Sequence, residues 1–175
     1  MNFIYHFVPK VMRGDILYPL NTLKNIYPDL FEEEAKKYEG REFITAQKIP
    51  VLDCLWNDVL HFAAVHPQKI KEAFMEAGGE TRSFECFEID PAALEAKNSI
   101  VYLYRQKERG DKLNKENFEQ YDLKQILQYD IIPDETKNYY RSVLKEGGRP
   151  LLFHRIPHIL YKGNLDVQGM SMVKI

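Results

Sequence analysis

The chain has 175 residues, 45% hydrophobic and 13% aromatic, which suits one domain spanning 1–175 with a contiguous core and excludes a disordered chain. Its formal net charge of −2 gives no overall field toward nucleic acid or an anionic membrane. The charge is uneven, though, with +5 on residues 137–175 and −7 on residues 1–136.

Residues 3–8 (FIYHFV) are aromatic and β-branched and end at Pro9, so they read as a first strand. Arg13-Gly14-Asp15 reads as a turn. A helix is expected from Pro28 to Tyr38, with Phe31, Ala35 and Tyr38 on one face and Gly40 as its stop. Glu32–Lys36 and Glu33–Lys37 stand at i,i+4 spacing with the acid leading. Residues 59–65 read as a strand, and Pro67 opens a helix with Ile70, Ala73, Phe74 and Ala77 inward and Gly78-Gly79 at its end. Strands follow at 84–89 and 99–105, with a break at Asp90-Pro91. The charged stretch 106–117, containing Gly110-Asp111, reads as a long loop.

Asp122 is placed to cap a short helix whose apolar face is Leu123, Ile126 and Leu127. Pro133-Asp134-Glu135 starts a clearer helix that runs to Glu146, before Gly147-Gly148. Residues 151–156 (LLFHRI) read as a late strand, Pro157 interrupts, and the tail is expected to add edge strands. The pattern is α+β: a mixed β-sheet with flanking helices.

The histidines His6, His61, His66, His154 and His158 are the first place to look for chemistry. His61/His66 and His154/His158 lack the one-face helical spacing of a HExxH zinc site, so hydrogen-bonded histidines are the simpler reading and no metal ligand is assigned. Cys54 and Cys86 sit among apolar neighbours and read as buried free thiols, and nothing local activates Cys54 as a nucleophile. No GxSxG, GxGxxG or P-loop occurs. Aromatic and basic residues interleave at Tyr102-Leu103-Tyr104-Arg105, Tyr139-Tyr140-Arg141 and Phe153-His154-Arg155, a pattern that can stack bases but also marks half-buried elements. The only tryptophan lies in Leu55-Trp56-Asn57-Asp58, either a pocket wall or a core anchor. The start of the chain has no basic region followed by an apolar run, and no stretch approaches about 18 apolar residues, so no membrane partner and a cytoplasmic location are expected.

The FIYHFV strand with His6 near its centre resembles the first strand of the ADP-ribosyltransferase fold, and VLHFAAVHPQKI (59–70) is similar to a strand-then-proline segment in the DNA-targeting ADP-ribosyltransferase toxins. The resemblance covers about the first 70 residues. It implies that His6 holds a ribose of NAD. The family's arginine after the second strand falls at Val65, with His66 beside it, and the segment 151–156 carries His154 and Arg155 where the family has a catalytic glutamate. His154 and Arg155 with the basic C-terminal segment suit a phosphate, as in the RNA 2′-phosphotransferases that share the fold.

Three readings follow. The first is nucleotide binding (NAD or ADP-ribose) through His6, Tyr102, His154 and Arg155, with nucleic acid as a further partner of the basic segment. The second is a non-catalytic protein-interaction module. The third is a metal-dependent hydrolase using the histidines with Asp53 or Asp58.

Overall fold

A computed structural model describes residues 2–80, 83–108 and 112–175. The expected loop centre at Gly110-Asp111 lies outside the described residues. In chain order the strands are β1 (Ile4–Phe7), β2 (Ile16–Leu17), β3 (Lys48–Ile49), β4 (Cys54–Leu55), β5 (Leu60–Ala63), β6 (Glu85–Ile89), β7 (Ser99–Tyr102), β8 (Phe118–Gln120), β9 (His158–Tyr161), β10 (Leu165–Asp166) and β11 (Ser171–Lys174). The helices are α1 (Leu20–Ile26), α2 (Pro28–Ala35), α3 (Pro67–Glu76) and α4 (Asp134–Lys145), joined by short 3-10 turns.

Seven strands form the main sheet in the order β11-β6-β1-β5-β9-β7-β8, and β2–β10 and β3–β4 form two small ribbons. The architecture is α+β. Every pairing in the main sheet is antiparallel, which narrows the expected mixed sheet. Strand side chains alternate between faces. Ile4, Leu60, Phe62, Ile89, Val101, Ile159 and Tyr161 line one face and pack with Leu17, Tyr121, Ile126, Tyr129 and Leu165. On the opposite face Ile100, Tyr102 and Leu160 meet Ile49, Cys54 and Leu113, while Ala63 meets Ile70 and Ile156. Phe74 of α3 and the fully buried Tyr140 of α4 pack edge to face.

Local signals place the helices. Pro28 and Pro67 each open a helix at its first turn, where the missing N–H costs nothing. His66 caps α3 by accepting from Gln68 N at 3.1 Å. Asp122 caps the 3-10 stretch Leu123–Tyr129, as its sequence suggests, but the buried residues there are Ile126 and Tyr129, while Leu123 and Leu127 face water. A 3-10 turn repeats every three residues, which puts Ile126 and Tyr129 on one face and turns Leu127 off it, while Leu123, on the same row, stays exposed at the first residue of the stretch. In α2 the buried residue is Leu30, not Phe31, and the ion pairs form at i,i+3 (Glu33–Lys36, Glu34–Lys37) where i,i+4 spacing was expected. The tightening of this helix into the 3-10 turn Lys36–Tyr38 accounts for the shift.

The segment 151–156 is not a strand. The late strand is β9, beginning at His158, and it lies inside the sheet between β5 and β7. Helix α4 takes the backbone groups that a strand would offer its neighbour. Leu151 N donates to Tyr139 Oη, Tyr140 Oη donates to Leu152 O, and Thr136 Oγ1 donates to His154 O. Arg155 then turns the chain with a φ of +56°. No helix among the described residues is long and apolar enough to cross a membrane.

Candidate ligand cavity at the seam between β1 and β5

β1 and β5 are neighbours in the sheet but share one registered pair, Tyr5 with Ala63. β1 holds β6 along its whole length, and β5 does the same with β9. Beyond Tyr5 the seam is therefore unpaired. A cavity of about 110 Å³ enters it, lined by His6 from β1, Leu60 and His61 from β5, Asn57 from the turn before β5, and apolar side chains of β2, α1 and α2. All of its lining residues lie between His6 and His61. Lys37 and Glu34 also line it, and the Lys37 side chain is more than half exposed.

His6 and His61 of the cavity, and His158 beside His61, are held neutral. His6 Nδ1 lies 2.6 Å from Phe7 O and His158 Nδ1 lies 2.6 Å from Ile156 O. A carbonyl only accepts, so both rings carry the proton on Nδ1 and keep a lone pair on Nε2. Burial lowers both pKa values from 6.5 to about 4. Burial likewise holds His61 well below its ordinary value, with His158 adding to the effect. His61 packs against Trp56 at 4.7 Å and against His158 at 6.1 Å between ring centroids.

Two polar atoms in this region have no partner. Asn57 Oδ1 and His61 Nε2 are both shut off from water and unbonded. The third such atom among the described residues, Arg155 Nε, has Glu135 Oε2 at 3.1 Å as its ion-pair partner. A buried unpaired polar atom costs about 1–3 kcal/mol. Both uncompensated atoms belong to residues that line this same cavity.

The chain matches no family model, no curated protein and no solved structure with which it was compared.

Of the four residues expected to hold a nucleotide, His6 lines the cavity, and Tyr102, His154 and Arg155 are not among its lining residues. Tyr102 is buried under Trp56 and Phe118 and donates to Glu108 at 2.6 Å. His154 stacks on Tyr139, with ring centroids 3.7 Å apart. Arg155 donates to Tyr104 O at 2.6 Å. Tyr104 and Arg155 both have left-handed backbone, with φ of +54° and +56°, so the guanidinium ties together two strained turns. Arg155→Ala is expected to cost about 2 kcal/mol by losing that bond. Arg155→Gly should come out about 1 kcal/mol more stable than the alanine variant, because glycine relieves the backbone strain. Urea unfolding of the two variants checks this, and equal stabilities would remove strain from the account.

Sequence reasoning did not single out Asn57 for a ligand, although it marked the Leu55–Asp58 stretch as a pocket wall or a core anchor. For Trp56 the core-anchor reading describes its place, packed against Tyr102 and absent from the cavity lining, and it is the neighbouring Asn57 that lines the cavity. Among the described residues no three His, Cys, Asp or Glu side chains converge on a point, so the metal-dependent reading has no ligand set. Burial pushes the Cys54 thiol up to about 11 and Cys86 up to about 12, the opposite of what a nucleophile needs. In the basic segment Lys174 pairs with Glu85 and Arg155 with Glu135, as expected of a mixed-charge face.

Proposed function

We propose that the chain binds a nucleotide of the NAD or ADP-ribose class in the cavity at the β1–β5 seam. The observation that supports this most is that Asn57 Oδ1 and His61 Nε2, two unpartnered buried atoms, both belong to residues lining a single cavity. A ligand bearing N–H and O–H donors relieves both. His6 adds a third acceptor, since its Nδ1 proton is engaged by Phe7 O. The leucines of β2, α1 and α2, with Tyr18, Tyr27 and Tyr38 from the turns that flank them, suit the flat faces of a base or a ribose. Lys37 is the cation more readily turned to a phosphate, because its ion pair with Glu34 is a loose 3.8 Å, whereas Arg13, which also lines the cavity, is engaged by both carboxylate oxygens of Asp29. The ADP-ribosyltransferase-like fold belongs to the same proposal and is supported by the position of His6 on β1 beside the cavity.

The protein-interaction alternative draws on Leu123, Leu127 and Ile131, each more than half exposed on one short segment. It leaves Asn57 and His61 without a role, and for that reason the ligand reading is preferred.

Thermal unfolding with NAD, ADP-ribose and zinc in separate samples tests the proposal. A ligand that binds only the folded state adds about 2.7 kcal/mol at a hundred times its dissociation constant. A saturable rise with NAD or ADP-ribose is expected, and it should shrink in His6→Ala while that variant stays folded. No rise at millimolar nucleotide, or a rise with zinc alone, overturns the reading.

A further inference from the structure

We infer that Asn57 reads a ligand edge in which an N–H donor stands beside an acceptor, the edge shared by the adenine ring and the nicotinamide carboxamide. This deepens the nucleotide reading above and rests on it.

Asn57 is 4% exposed, and its buried Oδ1 has no protein donor. Next to it in the cavity wall stand Val59 and Leu60, both apolar and buried, so the amide is the hydrogen-bonding group of that stretch. The backbone that carries it is anchored from three directions. Trp56 N donates to Gln47 O at 2.9 Å. Leu55 N donates to Asp58 Oδ2 at 2.7 Å, and Asn21 Nδ2 of α1 donates to Asp58 Oδ1 at 2.7 Å. The backbone at Asn57 is thus held while Oδ1 is left without a donor, and the side chain's χ2 is a soft torsion that can turn the polar end toward the cavity.

The choice of edge follows from donor and acceptor counts. The neutral His6 offers only a lone pair on its free nitrogen, whereas a carboxamide offers an acceptor and a donor side by side. The planar partner that satisfies both ends of an amide is an amino group next to a ring nitrogen, as asparagine meets adenine, or another primary amide. A ligand with two acceptors on that edge leaves Oδ1 unpaired and is rejected.

Two matched pairs of ligands test this and separate the sources. AMP is compared with purine riboside 5′-phosphate, which lacks the amino group. Nicotinamide mononucleotide is compared with nicotinic acid mononucleotide, whose carboxylate has no donor. Within one of the two pairs, the ligand with the N–H donor should bind at least about tenfold more tightly. The pair that discriminates identifies the base or the carboxamide as the bound edge. In Asn57→Leu the ratio should fall below about threefold. The unliganded variant should unfold at the same temperature as the wild type or higher, since an unpaired buried polar group has been replaced by an apolar one of similar shape. Binding of all four ligands without discrimination overturns the role of Asn57 and leaves the nucleotide site standing. A sharply lowered midpoint in Asn57→Leu makes the residue a structural one and also overturns it. Failure of every nucleotide to bind removes the site and this inference together.

Discussion

The free energy of unfolding should fall by about 3 kcal/mol between pH 7 and pH 5. His6 and His158 have folded pKa values of about 4, against an ordinary 6.5, because burial disfavours the imidazolium. Their unfolded forms therefore take up protons first as pH drops. Stability is fully present above about 6.5 and is lost progressively down to about 4, where the folded forms titrate too. Each pH unit in that window is worth about 1.4 kcal/mol per group, reduced here because both rings are half-buried. His61 acts in the same direction. Carboxylates do not confuse the window. The pKa of Asp29 is held down by its hydrogen bond with Arg13, and that of Glu119 by Tyr129 and then Arg105, so both weaken only below the ordinary carboxylate range. Urea unfolding at the two pH values measures the effect. The double variant His6→Gln/His158→Gln should lose less than half as much as the wild type. A wild type equally stable at both pH values would mean that the histidines are hydrated in the folded state, and the acceptor character of the cavity would go with them.

Asp58→Ala is expected to cost about 3 kcal/mol and to abolish ligand binding. The Asp58 carboxylate accepts from Leu55 N and from Asn21 Nδ2, both at 2.7 Å, and so fastens the turn before β5 to α1. Hydrogen bonds to a charged group are worth about 1.5–3 kcal/mol, and alanine strands two donors in a half-buried place. The same turn carries Asn57 and leads into His61, so its release also disperses the cavity's acceptors. Asp58→Asn should recover most of the stability, because the Asn21 amide can turn over to offer its oxygen to the new amide while Leu55 N keeps an acceptor. Ligand affinity measured on Asp58→Asn separates positioning from folding. Affinity that stays lost when stability has returned would show that the carboxylate's charge, not the turn's geometry, supports the site.

Part of the candidate site was legible in the chain itself. His6 stands out as a histidine inside an aromatic strand, and the Leu55–Asp58 stretch stands out as polar residues around a lone tryptophan. Tyr102, His154 and Arg155 stand out for the same local reasons, yet the fold spends them elsewhere: on Glu108, on Tyr139, and on Tyr104 O with Glu135. Interleaved aromatic and basic residues look alike whether they face a ligand or a neighbouring turn.

Elements whose cause is local are legible in the chain. Pro28, Pro67 and Pro133 start helices, Gly78-Gly79 and Gly147-Gly148 follow their ends, Asp122 caps a turn, and β-branched and aromatic runs make β1, β5, β6 and β7. Caps, missing N–H groups and backbone freedom act over a few residues, and a few residues suffice to read them. Long-range packing is what makes 151–156 give up its backbone groups to α4, brings β9 into the middle of the sheet directly after Pro157, and parts β1 from β5 after Tyr5. Each of these outcomes depends on which distant group claims a given N–H or C=O. Such competition is settled by packing the whole chain, and it is also what leaves Asn57 and His61 unpaired beside the cavity.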